Sequence, residues 1–338
     1  MHRFLASCLL ASSLIVASAL TAKADVFDDI FAAPTAAEKR AAKAQWASRS
    51  QAVRGWRLEN RMDDDAFRMD IVSHQLDGNR HYAAVRFPEN YNSSKTYPLL
   101  VLNHGGWEGV DADWAFGTVD GCLADHFVVV PSFRGEPLYA PDRLYQSTGE
   151  KSLINKDVDD VMALVSGVLA NYDGVQADGM AAWGFSRGGG VSLALAVRDQ
   201  RFDRVVDVFG PTNMLTNSEM ADTMREMFSD GEPRGPYFDF PAQWVQAHLE
   251  GRLSLSGVRQ RLLFSSPLHF ADDLPARIQL HHGARDTVVP VEDSRRLHDQ
   301  LEQRSDMVIN DYFEYRFGNH GDLRGMERRA EAFLCQDR

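Results

Sequence analysis

The sequence predicts an α/β protein: a mainly parallel sheet with helices on both faces. Three observations carry that expectation. Short, unbroken apolar runs recur along the 338 residues, the right length for strands buried on both faces and too short for helices. Longer segments between them place their apolar residues at helical spacing. Strand and helix therefore alternate, with Gly, Asn and Asp marking the ends of the runs.

Taken in order, residues 1–24 have the form of a secretory leader. His2 and Arg3 open it, Phe4 to Leu20 are mainly apolar or small, and Ala22-Lys23-Ala24 offers a small-x-small cleavage site. The expectation is export to a periplasmic or extracellular compartment. Residues 25–66 read as an N-terminal helical extension, with Thr35 and Glu38 forming a T-x-x-E capping box before an Ala-rich stretch to Trp46. The acidic run Asp63-Asp64-Asp65 reads as a solvated turn.

Residues 67–338 read as one α/β domain with an insertion. Phe67 to Ser73 and Tyr82 to Phe87 alternate apolar with polar residues around Asp77-Gly78-Asn79, which predicts an antiparallel hairpin. Leu99 to Leu102, Phe127 to Val130, Met180 to Trp183, Val205 to Phe209 and Ile278 to Leu280 are the buried strands, and the run Tyr312 to Phe317 reads as the last strand. Val158, Val161, Met162, Val165 and Leu169 share one helical face, and Val291 leads into a helix through Leu297 and Leu301. Residues 211–270 break the rhythm. They hold no clear strand but carry Phe238, Phe240 and Trp244, so they read as a helical insertion, or lid, placed before the last strands at the carboxyl edge of the sheet.

Charge and cysteine content narrow the function. The net charge is −12, and removal of Arg3 and Lys23 with the leader makes it more negative. Without a basic excess to displace counterions, neither nucleic acid nor an anionic membrane surface is an expected partner. Cys122 and Cys335 outlast the leader, and an oxidising compartment permits a disulfide between them, a pairing the sequence leaves open. Cys122 lies four residues before His126, but no further ligand stands nearby, so neither a metal site nor any cofactor is expected.

The chemistry centres on Gly184-Phe185-Ser186-Arg187-Gly188. A short apolar run, this pentapeptide and a helix-permissive run together match a nucleophile elbow. Such a turn exposes a serine hydroxyl, which needs a histidine base and an acid to orient that base. Asp286 follows the run ending at Leu280, and His320 lies in Gly318-Asn319-His320-Gly321 after the last run. The order Ser186, Asp286, His320 is the one this architecture uses. His104, His281 and His282 are rival bases that fit less well, because one precedes the elbow and two precede the acid.

These motifs, with His104-Gly105-Gly106, Ser266-Pro267-Leu268 and Val289-Pro290-Val291, make residues 80–335 resemble the α/β-hydrolase catalytic domain of the prolyl oligopeptidase family. The resemblance implies Ser186 as nucleophile, His320 as base, Asp286 as acid, and backbone N–H groups of Arg187 and of Gly106 or Trp107 as the oxyanion hole. It implies serine-type peptidase chemistry on short peptides without a cofactor. Larger members carry a β-propeller ahead of this domain, and the residues before the first hairpin here are too few for one. Esterases also occur among relatives without it, so cleavage of small esters is the second expectation. A catalytically silent hydrolase fold used for binding is the third. Phe238, Phe240 and Trp244, or Trp107, are candidates for an apolar substrate slot. Glu108 and Glu136 are candidates for capturing a peptide amino terminus, although solvent-facing positions are the ordinary expectation for both.

Overall fold

The computed structural model describes residues 25–49, 52–63, 68–231 and 236–336. Residues 1–24, read as a leader, and Asp64, Asp65 and Phe67 lie outside the described residues. Helices α1 (Val26–Ile30) and α2 (Ala36–Ala47) come first. The expected capping box starts α2: the Thr35 hydroxyl accepts from the Glu38 N–H, and the Glu38 carboxylate accepts from the Thr35 N–H. Strands β1 (Arg54–Asp63), β2 (Arg68–Leu76) and β3 (Asn79–Arg86) follow, then β4 (Leu99–Asn103), β5 (Val110–Asp111), α3 (Ala112–Gly117), β6 (Phe127–Pro131), β7 (Pro137–Tyr139) and β8 (Leu144–Gln146). The rest of the chain runs α4 (Asn155–Asn171), β9 (Met180–Phe185), α5 (Arg187–Arg198), β10 (Phe202–Val208), α6 (Ser218–Asp230), α7 (Pro236–Leu249), α8 (Leu255–Phe264), β11 (Arg277–Gly283), α9 (Val291–Glu302), β12 (Ile309–Tyr315) and α10 (Met326–Leu334).

Nine strands form one sheet in the order β1-β2-β3-β6-β4-β9-β10-β11-β12. The first pairings, through β3 with β6, are antiparallel, and those from β6 to β12 are parallel. The fold is therefore the expected α/β-hydrolase arrangement of a mostly parallel sheet with helices. Side-chain alternation explains the unbroken apolar runs. In β4, Leu99 and Val101 join the core on one face while Leu100 and Leu102 join the core on the other. Residues of α4, α5, α8 and α9 fill the first core, and α3 and α10 cover the second.

One element was not expected. β1 lies within the segment read as a helical extension, so the sheet begins at Arg54. Its residues are mainly exposed or half-buried, as an edge strand permits, and polar pairs rather than apolar alternation hold it to β2. Arg61 donates two hydrogen bonds to Asp70, at 2.6 and 2.7 Å, and Ser73 donates to Glu59 at 2.6 Å. Cys122 and Cys335 are disulfide-bonded, fastening the chain just past α10 to the short 3-10 turn at Gly121–Asp125.

The topology places a crevice beside β4. From β4 the chain adds β6 on one side and then crosses to add β9 on the other, so the loops leaving β4 and β9 diverge at their carboxyl ends. Asn103, the last residue of β4, pairs in register with Gly184, two residues before Ser186.

Candidate active site

Ser186 sits between β9 and α5 at φ 52°, ψ −125°, a backbone conformation in which a residue with a side chain is strained. Its neighbours must allow that turn. A Cβ on Gly184 would lie 2.0 Å from the Gly188 carbonyl oxygen, and one on Gly188 would lie 2.2 Å from that of Asn103. Glycine at both positions lets α5 descend onto the ends of β9 and β4 and presents the serine at the crevice.

Two distant loops converge on Ser186. His320, in the loop after β12, is hydrogen-bonded through Nε2 to Ser186 Oγ at 2.9 Å and through Nδ1 to Asp286 Oδ2 at 2.7 Å. Asp286 lies in the loop between β11 and α9. Its Oδ1 accepts from the N–H groups of Val288 and Val289, at 2.8 and 3.0 Å. Burial alone would push this carboxyl up. Hydrogen bonds from His282, from His320 and from the Val288 N–H outweigh burial and hold it well below the usual carboxylate range. An ionised Asp286 therefore faces His320 throughout the neutral range.

The rival histidines are occupied elsewhere. His104 is buried, stacks on Phe133 with ring centroids 4.3 Å apart, and has its Nδ1 2.9 Å from the Gly105 carbonyl oxygen. Desolvation, reinforced by the Arg187 charge, pushes its pKa down to about 3. His281 bonds Gln279 and Tyr315. His282 lies behind the acid, with Nδ1 2.8 Å from Ser294 Oγ and Nε2 3.0 Å from the Val289 carbonyl oxygen.

Arg187, Gly106 and Trp107 share the cavity wall with Ser186. As the first residue of α5, Arg187 has an N–H without an intrahelical acceptor, at the positive end of the helix. Its guanidinium runs the other way, into the protein. It lies 3.9 Å from the Trp107 ring centroid and 4.6 Å from that of Phe133, and Nη2 donates to Glu136 at 2.8 Å. Lys151 Nζ donates to the Trp107 carbonyl oxygen. The residue after His104-Gly105-Gly106 is thus gripped by one cation on its ring and another on its backbone.

Two expectations require correction here. Glu136 is fully buried rather than solvent-facing, because Arg187 draws it inward, so it is not available to capture a substrate amine. Burial pushes its pKa up despite that partner. Phe240 and Trp244 are not in the wall around Ser186. The Phe240 ring packs against Trp107 with centroids 5.0 Å apart, and both Phe240 and Trp244 line a separate cavity. Phe238 packs edge-on against Tyr237 at 5.0 Å. Of the insertion's aromatics it is Tyr237 that reaches the catalytic cavity. The sequence offered no signal to separate it from its aromatic neighbours on α7.

The cavity around Ser186 and His320 has a volume of about 710 Å³. Trp107, Trp114, Phe185, Phe209, Leu323 and Met326 give it a mainly apolar wall. A hydroxyl, an imidazole and a buried carboxylate joined in series beside orphan backbone donors form an arrangement suited to acyl transfer.

Comparisons with known proteins agree with this architecture. Residues 121–332 match the model of the prolyl oligopeptidase family. A search of curated proteins finds no match. Among solved structures, acetyl xylan esterase 1 from Thermoanaerobacterium sp. JW/SL YS485 superposes with a TM-score of 0.64 at 15% identity, over 91% of this chain and 96% of that one. The acetyl xylan esterase from Paenibacillus sp. R4 gives 0.63 at 16% identity, over 91% and 97%. The acylaminoacyl peptidase of Pyrococcus horikoshii gives 0.52 at 15% identity, over 79% of this chain but 40% of that one. At such identities the likeness concerns the fold.

Proposed function

Because this chain belongs to the prolyl oligopeptidase family and is a serine hydrolase, we propose that Ser186 attacks the carbonyl carbon of carboxylic esters and forms an acyl-enzyme. The observation that carries the reading is the unbroken series Ser186–His320–Asp286, at 2.9 and 2.7 Å. In this mechanism His320 Nε2 takes the Ser186 proton as the new C–O bond forms, and Asp286 stabilises the resulting imidazolium. The N–H of Arg187, with that of Gly106 or Trp107, receives the oxyanion. Collapse breaks the bond to the leaving alcohol, which His320 protonates. Water, deprotonated by His320, then releases the acid and restores Ser186.

Esters are preferred over amides for reasons of geometry. The catalytic cavity is mainly apolar, which suits an acyl chain, and Glu136 is tied up with Arg187. The other candidate for holding a peptide amine, Glu108, is exposed and does not line the cavity. The whole-length likeness in shape to free-standing esterases supports the same choice. Cleavage of short peptides is the second reading, favoured by the family match itself. Export is part of the proposal: the Cys122–Cys335 disulfide supports an oxidising compartment.

A fluorophosphonate probe is expected to label the protein and to fail on Ser186→Ala, while His320→Ala lowers turnover by about 10³-fold or more. Equal labelling of parent and Ser186→Ala would remove the nucleophile assignment. A panel of acyl esters and of aminoacyl and dipeptidyl amides separates the readings: amide cleavage without ester turnover would reverse the preference.

A further inference from the structure

A second cavity, of about 790 Å³, adjoins the catalytic one. It lies between α2, α4, α7, α8 and the loop before α4, and Leu153 belongs to both walls. The contact of Trp107 with Phe240 forms the partition, since Trp107 faces the catalytic side and Phe240 the other. Its character is opposite to that of the catalytic cavity. In a chain of net charge −12, its walls are cationic, and Glu150 is the one carboxylate among the described residues that line it.

The cations are not all neutralised. Arg134 gives Nε and Nη2 to Asp160, at 2.9 and 2.6 Å, and Nη1 takes no part in that pair. Lys151 and Arg261 have no ion pair among the described residues. Lys151 donates to the Trp107 carbonyl oxygen, and the Arg261 guanidinium stands 6.0 Å over the Trp244 ring. Between these charges the wall presents the amides of Gln243 and Gln260 and the indole of Trp244. Solubility does not account for cations gathered in a concave site, where their fields add.

We propose that this basin binds an acidic sugar unit of the substrate, a ring bearing hydroxyls and a carboxylate, while the ester is held at Ser186. A carboxylate matches Lys151 and Arg261. Sugar hydroxyls both donate and accept, as do the glutamine amides. The C–H face of a sugar ring matches the indole of Trp244. The proposal rests on the ester reading only for what the sugar is attached to; binding in the basin stands apart from turnover.

The test uses the full chain carrying Ser186→Ala, so that nothing is hydrolysed, with calorimetric titration of three probes: trigalacturonate, galactotriose and triglutamate. Trigalacturonate is expected to bind at least about tenfold more tightly than either of the others, and the added change Arg261→Glu to weaken it by about tenfold or more, the scale of one charge-assisted hydrogen bond. Arg261 is exposed, so the fold tolerates the change. Arg261→Glu with Ser186 intact is expected to leave turnover of a neutral short ester within about twofold of the parent. Three results would overturn the proposal: galactotriose binding as tightly as trigalacturonate, which denies the cations a role; triglutamate binding as tightly, which assigns the basin to acidic peptide; and no binding of any probe. Fluorophosphonate labelling of Ser186, read separately, tells a failed basin from a failed hydrolase assignment.

Discussion

Arg187 serves the site through two different groups. In the proposed mechanism its N–H receives the oxyanion, while its guanidinium stacks on the ring of Trp107, which shares the cavity wall with Ser186. Lysine would keep the charge but lose the planar face that lies on two rings. Arg187→Lys is therefore expected to lower kcat by about ten- to a hundredfold, a part of what loss of an oxyanion donor costs, with KM little changed. A rise in KM at constant kcat would instead place Arg187 in substrate binding. Asp207 makes a different prediction at this scale. Its Oδ1 accepts from the Gly210 N–H at 3.0 Å, its Oδ2 has no partner, and burial pushes the carboxyl up to about 7. A carboxyl whose folded pKa is raised favours the fold most below the unfolded value of about 4, and that contribution is lost as pH rises through about 7. Asp207→Asn keeps the acceptor and cannot ionise. Between pH 5 and pH 8 the variant should therefore gain on the order of 2–3 kcal/mol relative to the parent, measured by denaturant unfolding. A gap that stays constant with pH would show that Asp207 does not ionise in this range.

The C-terminal helix shows how an element can matter to the site without touching the reaction. α10 closes the second core with Met326, Ala330, Phe333 and Leu334, and Met326 also lines the catalytic cavity. The disulfide from Cys335 to Cys122 closes a loop of 213 residues. Removing that restraint by Cys335→Ser should cost about 2–5 kcal/mol of stability while the folded protein keeps its turnover, since neither cysteine lines the catalytic cavity. Loss of activity with an unchanged unfolding midpoint would contradict this. The same scale explains which elements could be read in advance. β4, β6 and β9 announced themselves because burial on both faces demands unbroken apolar runs. β1 did not, because an edge strand can be held by pairs such as Arg61 with Asp70, which look in sequence like surface charge. α7 was legible as a helical insertion, but its neighbouring aromatics gave no sign of which would face Ser186, because the partition between the cavities is made by Trp107, far off in sequence.

At the scale of the whole molecule, the triad was legible because strand ends in this architecture deliver their loops to one edge in a fixed order. The second cavity was not, because its walls come from five separated segments that come together only when packed. Packing also gives the N-terminal extension its role. Arg259 on α8 donates to the carbonyl oxygens of Asp29, Ile30 and Ala32 and to the Glu38 carboxylate, tying α1 and α2 to the insertion. Trp46 completes the attachment: its ring lies 5.4 Å from Phe264 and 4.8 Å from Phe270, and its Nε1–H donates to Asn155 at 3.1 Å. The extension therefore joins the insertion, α4 and the body of the domain while staying clear of Ser186. Trp46→Ala should cost about 3–5 kcal/mol, the range for removing a large buried ring, and lower the denaturant midpoint accordingly. Turnover of a neutral short ester at about 20 °C should stay within about twofold, because Trp46 does not line the catalytic cavity. If the variant kept the parent's midpoint but lost turnover, the extension would have to act on catalysis directly rather than by holding the insertion in place.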